Sequence, residues 1–320
     1  MSGTREGPER EVHTMDQFSA ALPADRHSPV RLRVGIVGAG RVGAVLGAAL
    51  AAAGHDVVAA AGLSDASRAR AARLLPGVPL LPTDEVVAAG DLVVLAVPDD
   101  ALAGLVAGLA GTGGWRRGQL ALHTSGAHGL AVLAPAEEAG VLGLALHPAM
   151  TFSGGPEDLP RLLGTPFGVT SRPEHRAVAE TVVLEMGGEP FWVAEADRVL
   201  YHAALVTGAN HLVTLVAEAA DLLRTAGVEQ PARVLGPLLG AALDNGLRRG
   251  DAGLTGPVSR GDVGTVAGHV AALADRAPDA VAGYVAMARR TTERAAAAGR
   301  LKPHEAQPLT DLLDGVEVPR

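Results

Sequence analysis

From residue 31 onward, short apolar runs alternate with stretches of helical period. Runs bounded by turn residues predict strands at 32–38, 56–61, 91–97, 119–123 and 142–146, with helices between them. That alternation implies βαβ units, and hence an α/β fold with a doubly wound parallel sheet. A further strand–helix–strand unit, near 166–170, 174–186 and 189–193, is placed to extend the sheet edge. After about residue 195 the strand signals stop. Helical patterns follow at 197–226, 231–248, 262–274 and 278–298, predicting a separate all-helical domain. The first of these is apolar nearly all round, so it is expected to be buried, within its domain or across a subunit interface. Residues 1–30 are polar, carry scattered prolines and show no apolar period, which reads as a disordered extension. The expected domains are therefore 31–195, α/β, and 196–320, helical.

Composition narrows the function classes. The chain has 320 residues, 48% of them hydrophobic and 19% charged, with two Trp, two Tyr and four Phe, so Ala, Val and Leu must fill the core. The net charge of −8, without a basic stripe or an aromatic platform, argues against nucleic acid. There is no cysteine, which removes disulfides, thiolate nucleophiles and Cys–zinc sites. No His/Asp/Glu spacing reads as a metal site. The apolar stretch Val34–Leu63 is broken by Arg41, His55, Asp56 and many glycines, so no membrane span is expected there. The N-terminus lacks the basic and apolar regions of a signal peptide, and the expected location is the cytoplasm. The single lysine, Lys302, stands against 26 arginines in a polar, Pro-flanked tail, which leaves little room for lysine catalysis.

The stretch RLRVGIVGAGRVG, Arg31 to Gly43, joins the first strand to an Ala/Leu-rich helix through Gly38-Ala39-Gly40-Arg41-Val42-Gly43. Gly38 permits the tight turn, Gly40 lets backbone approach phosphates, and Gly43 lets helix and strand pack closely. A dinucleotide's pyrophosphate would meet the free amides at the positive end of the helix. The fold so predicted is Rossmann-type. No acid ends the second strand, where NAD-binding chains hold the ribose 2′-OH. Ser64, Ser67 and Arg68 follow it, with Arg41 in the glycine motif, and such groups suit a 2′-phosphate. NADP is therefore favoured over NAD, with Asp65 as the dissenting residue.

Three more strand ends carry candidate chemistry. The strand Asp91–Val97 stops at Pro98, placing Val97 and Pro98 beside a nicotinamide ribose. The next two end in His123-Thr124-Ser125-Gly126-Ala127-His128 and His147-Pro148-Ala149-Met150-Thr151-Phe152. Histidine suits proton exchange with a carbon–oxygen centre undergoing hydride transfer, because its ordinary pKa is near neutrality. On the long helix, Thr207, Asn210 and Thr214 share one face at 100° per residue, and Asn210 is able to bind either a substrate oxygen or a buried backbone group. In Leu254–Asp262, Arg260 offers a fork for a carboxylate, while Asp262 reads as a helix cap.

Together, GIVGAGRVG, LAVPD, HTSGA, LHPAMTF, YHAALVTGAN and LTGPVSRGD, spanning about 33–270, resemble the 6-phosphogluconate-dehydrogenase-like group of two-domain reductases. Within it, the chain is most similar to predicted NADP-dependent oxidoreductases that join a Rossmann-like domain to a C-terminal helical domain of unknown function. Some of that family look like alternative ketopantoate reductases of pantothenate synthesis, which implies reduction of a small 2-oxo acid such as 2-dehydropantoate. The HTSG and HPM clusters are also similar to those of prephenate dehydrogenases, which implies His147 as acid/base and Ser125 as an orienting hydroxyl. Asn210 resembles the long-helix asparagine of β-hydroxyacid dehydrogenases. Their lysine one turn earlier is Val206 here, so a lysine mechanism does not transfer. Asn210 and Arg260 are expected to hold the carboxylate, and the apolar helix to form a homodimer. Alternative readings are an imine reductase of the pyrroline-carboxylate type, a deazaflavin-linked NADP reductase, or a non-catalytic NADP-binding sensor.

Overall fold

The structure, a computed structural model, describes residues 31–317. The extension read at 1–30 lies outside the described residues. The chain divides into two compact units, one through His202 and one from Ala203.

In the first unit the element order is β1 (Arg33–Val37), α1 (Arg41–Ala52), β2 (Asp56–Ala61), α2 (Asp65–Leu74), α3 (Thr83–Ala89), β3 (Leu92–Leu95), α4 (Asp99–Gly111), β4 (Leu120–His123), α5 (Ala134–Glu138), β5 (Leu142–Pro148), α6 (Asp158–Leu162), β6 (Pro166–Ser171), α7 (Arg176–Glu185) and β7 (Glu189–Trp192). The strands form one seven-stranded sheet in the order β2-β1-β3-β4-β5-β6-β7. Alternate residues feed two cores. Val34, Ile36, Leu92 and Val94 pack against α1 and α2, while Val37, Val93 and Leu95 face α3, α4 and α5. Period-2 alternation on a sheet covered on both faces explains why these strands read as unbroken apolar runs.

β1 to β5 are mutually parallel, but β6 runs antiparallel to β5, with His147 opposite Gly168. The sheet is thus mostly, not wholly, parallel. The connection between β5 and β6 leaves and re-enters at the same sheet edge, because its one helix, α6, has only five residues. A parallel return needs a crossover of a dozen or more residues, usually a full helix.

The helical unit follows α8 (Arg198–Leu205), within which the boundary falls. A π-helical turn, Val206–Asn210, leads into α9 (His211–Thr225), then α10 (Pro231–Arg249), α11 (Val263–Arg276), α12 (Val281–Ala297) and α13 (Pro303–Asp314). Its core is Val266, Val281, Val285, Ala288, Ala295, Leu301, Leu309 and Leu313, from α11 to α13 and the turn before α13. The burial expected of the long helix within its own domain is not found: α9 has no buried residue, and Val213 is 69% exposed. The regular helix expected over 197–226 is also interrupted. The π turn inserts an extra residue, so Thr207 and Asn210 do not keep the 100° spacing of an unbroken α-helix.

Candidate active site

The glycine-rich turn is built as a cradle. Gly38 has φ +93°, and a β-carbon there would stand 2.5 Å from the Ala96 carbonyl oxygen. Gly38 and Ala39 donate their amides to the Ala61 carbonyl at 3.1 and 2.8 Å, tying the turn to the end of β2. A β-carbon on Gly43 would collide with the Gly38 carbonyl, so only glycine lets α1 start this close to β1. Gly40 is different. Its nearest neighbour would be 3.9 Å away, leaving open space above the backbone. α1 has no side-chain cap and no acid in its first turn, so the amides of Arg41, Val42 and Gly43 remain for an anion. Val97 lies against Gly38, and Pro98 precedes α4. These residues fit a dinucleotide's phosphates.

The candidates for a 2′-phosphate are arranged less simply. Ser64 caps α2 and accepts from the Ser67 amide at 3.1 Å, while the Ser67 hydroxyl donates to the Ser64 carbonyl at 2.7 Å. Ser67 is buried. Arg68 donates to the Leu63 carbonyl at 2.7 Å and pairs with Asp65. Asp65 is thus turned to its own helix. Sequence reasoning missed Arg70 and Gly154. Arg41 and Arg70 both lie over Gly154, where any side chain would meet them, and Arg73 donates to the Gly154 carbonyl at 2.7 Å. Among the described residues, neither Arg41 nor Arg70 has a hydrogen-bond or ion-pair acceptor. The acids nearest this loop are Glu157, whose carboxylate is lowered by Ser153 and by Arg73 and Arg161, and the buried Asp158, held by Ser153 and Gly154.

The two polar clusters sit at the carboxyl ends of β4 and β5. Ser125 is buried, and its hydroxyl contacts Nδ1 of His128 at 3.0 Å and accepts the His128 amide at 3.1 Å. It makes no hydrogen bond to His147. His147 instead meets Tyr201: the phenol lies 2.8 Å from Nδ1, with the rings edge-on. Its Nε2 lies over Gly126, 3.0 Å from where a β-carbon would stand, and has no hydrogen-bond partner among the described residues. The His202 ring is 5.9 Å away, centroid to centroid. Burial, with Arg198 and His202 nearby, pushes the His147 pKa down to about 4. His123, fully buried, is pushed to about 4 chiefly by burial. Its Nε2 donates to the Gly129 carbonyl at 2.8 Å.

Arg198 and Glu195, one turn apart, fasten this loop. Arg198 is 1% exposed, and its donors reach the carbonyls of His128, Gly168 and Ser125 at 2.8, 3.1 and 3.4 Å. The Glu195 carboxylate accepts the amides of Leu130 and Ala131 at 2.7 and 3.0 Å. The available signal was the spacing Arg198, Tyr201, His202, which puts three polar groups on one face of an otherwise apolar helix. A cavity of about 720 Å³ lies beside the Glu195 contact, lined also by Leu130, Glu137, Thr170, Arg172, Arg176 and Trp192. Its cations are engaged, Arg172 with Glu137 and Arg176 over the Trp192 ring.

Asn210 and Arg260 belong to the second unit. Asn210 is exposed at the end of the π turn. Arg260 is exposed in the turn before α11, which Asp262 caps by accepting the Thr265 amide at 3.0 Å. His269, two turns along α11, pairs with Tyr284 at 2.8 Å.

Comparison with known proteins matches residues 19–148 to the Rossmann-like domain and residues 165–291 to DUF2520, a domain of unknown function. No curated protein matches the chain. Among solved structures, a candidate NADP oxidoreductase from Bacteroides fragilis superposes with a TM-score of 0.68 at 24% identity, over 82% of this chain and 98% of that one. An imine reductase from Pseudomonas sp. gives 0.58 at 19%, over 89% and 100%. A reductive aminase from Aspergillus terreus, in complex with NADPH and ethyl-5-oxohexanoate, gives 0.52 at 19%, over 89% and 93%. At these identities the likeness is one of fold. The two matches together place a Rossmann-like domain ahead of a DUF2520 domain in this chain.

Proposed function

We propose that the protein is a cytoplasmic NADPH-dependent oxidoreductase that reduces a small 2-oxo acid, 2-dehydropantoate being the first substrate to try. One observation carries this reading: the open backbone at Gly40 and the unpartnered Nε2 of His147 stand at the same carboxyl edge of one sheet. β5 is three strands from β1, roughly 14 Å at ~4.8 Å per strand, a span along which an extended dinucleotide lies. When bound, the reduced nicotinamide supplies hydride. The chain's own residues do the rest. The first-turn amides of α1 hold the pyrophosphate, and Arg41 with Arg70 offers unspent donors to a 2′-phosphate. His147 gives a proton from Nε2 to the developing alkoxide. Ser125, held by His128, orients the substrate oxygen.

A second reading, reduction of an imine, has a specific observation in its favour. His147 is neutral well below pH 7, and an iminium needs less help from an acid. Loss of NADPH absorbance across a panel of 2-oxo acids and cyclic imines separates the two. Turnover of 2-dehydropantoate supports the first, turnover of cyclic imines alone the second, and NADPH binding with no turnover returns the sensor reading.

The same proposal includes a homodimer. α9 and α10 leave an apolar groove of about 550 Å³ lined by Leu212, Val216, Leu239, Leu243 and Leu247. Glu195–Thr225 has the length and mean hydropathy, 1.4, of a membrane span. His202, Asn210, His211, Glu218 and Asp221 along it would be costly in lipid, so a second protein surface is the better cover.

A further inference from the structure

Neutral imidazole is a poor acid. Once Nε2 gives up its proton, the ring needs another at Nδ1, and the group at Nδ1 here is the Tyr201 phenol, 2.8 Å away. We infer that Tyr201 is the positioning residue of His147: its O–H fixes the imidazole as the Nε2–H tautomer and replaces the proton that Nε2 donates. This rests on the reductive reading above.

The surroundings of Tyr201 support the assignment. Its ring lies on Gly168, where a β-carbon would stand 2.7 Å from the hydroxyl and 2.8 Å from the ring. Gly168 is the register partner of His147 across β5 and β6, so one missing side chain lets the phenol reach the imidazole. Phe191 packs edge-on at 5.8 Å, and the Arg198 guanidinium stands 6.0 Å from the ring centroid. Burial raises the phenol's pKa while Arg198 opposes that rise, so the proton is held at neutral pH and the phenolate has a cation beside it. The charged and titratable groups facing His147 are Tyr201, His202 and Arg198 from α8 and Asp99 from the start of α4.

The step balances. Hydride adds to the carbonyl carbon and the C=O π pair moves onto oxygen. The Nε2–H bond breaks as the O–H bond forms. The Tyr201 O–H bond breaks as Nδ1–H forms, leaving phenolate beside Arg198. Nδ1 then returns its proton to the phenolate, and water reprotonates Nε2. Net, one hydride from reduced nicotinamide and one proton from water convert C=O to CH–OH.

The test is Tyr201→Phe in the full chain, which keeps the ring and removes only the oxygen. With the substrate found in the panel, kcat at pH 7.5 should fall about 10- to 100-fold, while KM and the Kd for NADPH stay within about threefold. The variant's rate should climb as the pH falls from 7 toward 5, because imidazolium, which donates without help from the phenol, becomes more populated as the pH approaches about 4. The wild type should stay level over that range. A wild-type kcat in Tyr201→Phe, or a loss equal at every pH, overturns the relay. Nitrogen-15 NMR of the labelled protein reads the tautomer without turnover: Nε2–H in the wild type and a mixture in Tyr201→Phe support it, and Nδ1–H in the wild type overturns it. Full activity of His147→Gln, with the expected tautomer intact, would instead remove the acid role from the proposed reaction.

Discussion

The Arg198 guanidinium donates to the carbonyl oxygen of His128 at 2.8 Å, joining the loop after β4 to the first turn of α8 seventy residues later. No carboxylate pairs with this buried cation among the described residues. Its acceptors are the three carbonyls of Ser125, His128 and Gly168. The same charge lies close enough to His147 to help keep its imidazole neutral. One residue therefore fastens the Ser125 loop and adds to the burial that keeps the histidine beside it neutral.

Arg198→Met should lower the unfolding free energy by about 2–4 kcal/mol, because the buried carbonyls lose their donors. Arg198→Lys should recover little of this, since an ammonium cannot reproduce the planar fork. Urea unfolding of the three proteins measures the effect. Equal stability would show that the carbonyls find other donors.

Stability should fall with acid between about pH 6.5 and 4. His123 has a folded pKa near 4 against an ordinary 6.5, so within that window the unfolded chain binds a proton that the folded chain refuses. The contribution is whole above about 6.5 and is lost as pH drops toward 4, with His147 adding in the same direction. For the fully buried His123 the loss is on the order of 3 kcal/mol. Thermal melts across pH should show the slope, and His123→Asn should flatten it.

Two glycines in one motif should respond differently. Gly43→Ala forces a β-carbon into the Gly38 carbonyl, so both melting temperature and NADPH affinity should fall. Gly40→Ala meets open space, so the fold should persist while affinity drops at least about tenfold, roughly 1.4 kcal/mol. Calorimetric titration with NADPH alongside melting curves separates the outcomes. Unchanged NADPH affinity in Gly40→Ala would argue that the open backbone is not where the phosphates lie.

The arginines around Gly154 should set coenzyme preference. Arg70→Gln and Arg41→Gln are each expected to weaken NADPH by about 10-fold or more while leaving NADH within about twofold, since only NADPH carries the extra anion. Arg68→Gln, whose donors already serve Leu63 and Asp65, should change the ratio little. The reverse ranking would return the 2′-phosphate to the serine–arginine cluster of α2.

The exposed leucines of α10 should control assembly. Leu243 and Leu247 line the apolar groove and are 53% and 80% exposed. If α9 and α10 form the proposed dimer, Leu243→Glu with Leu247→Glu should give a monomer in light scattering without lowering helix content. A wild-type monomer at micromolar concentration would refute the dimer.

Much of the architecture was legible along the chain. Every predicted strand is present within a few residues, because strands covered on both faces, such as β1 and β3, read as unbroken apolar runs. The glycine motif was legible for a similar local reason: Gly38 needs a positive φ and Gly43 a missing β-carbon, and both constraints act within six residues. The polar ends of β4 and β5 stood out against apolar runs. The direction of β6 did not, because periodicity is the same for parallel and antiparallel neighbours. Nor did the exposure of α9, since a helix apolar all round looks alike whether its cover is its own chain or another.

The sequence by itself determined which segments become strands and most of those that become helices (α13, in a stretch read as a polar tail, was missed), where the phosphate-binding turn lies, and that His147 and Ser125 follow the ends of successive strands. These follow from local sterics and from the periodicity of burial. Only the tertiary structure decided what those side chains touch. Ser125 turns to His128, and His147 meets a tyrosine fifty-four residues away across Gly168. Arg198 finds three carbonyls, two in the loop after β4 and one within β6. Such pairings depend on strand order and register, which bring distant residues within 3 Å and leave no periodic trace in the chain.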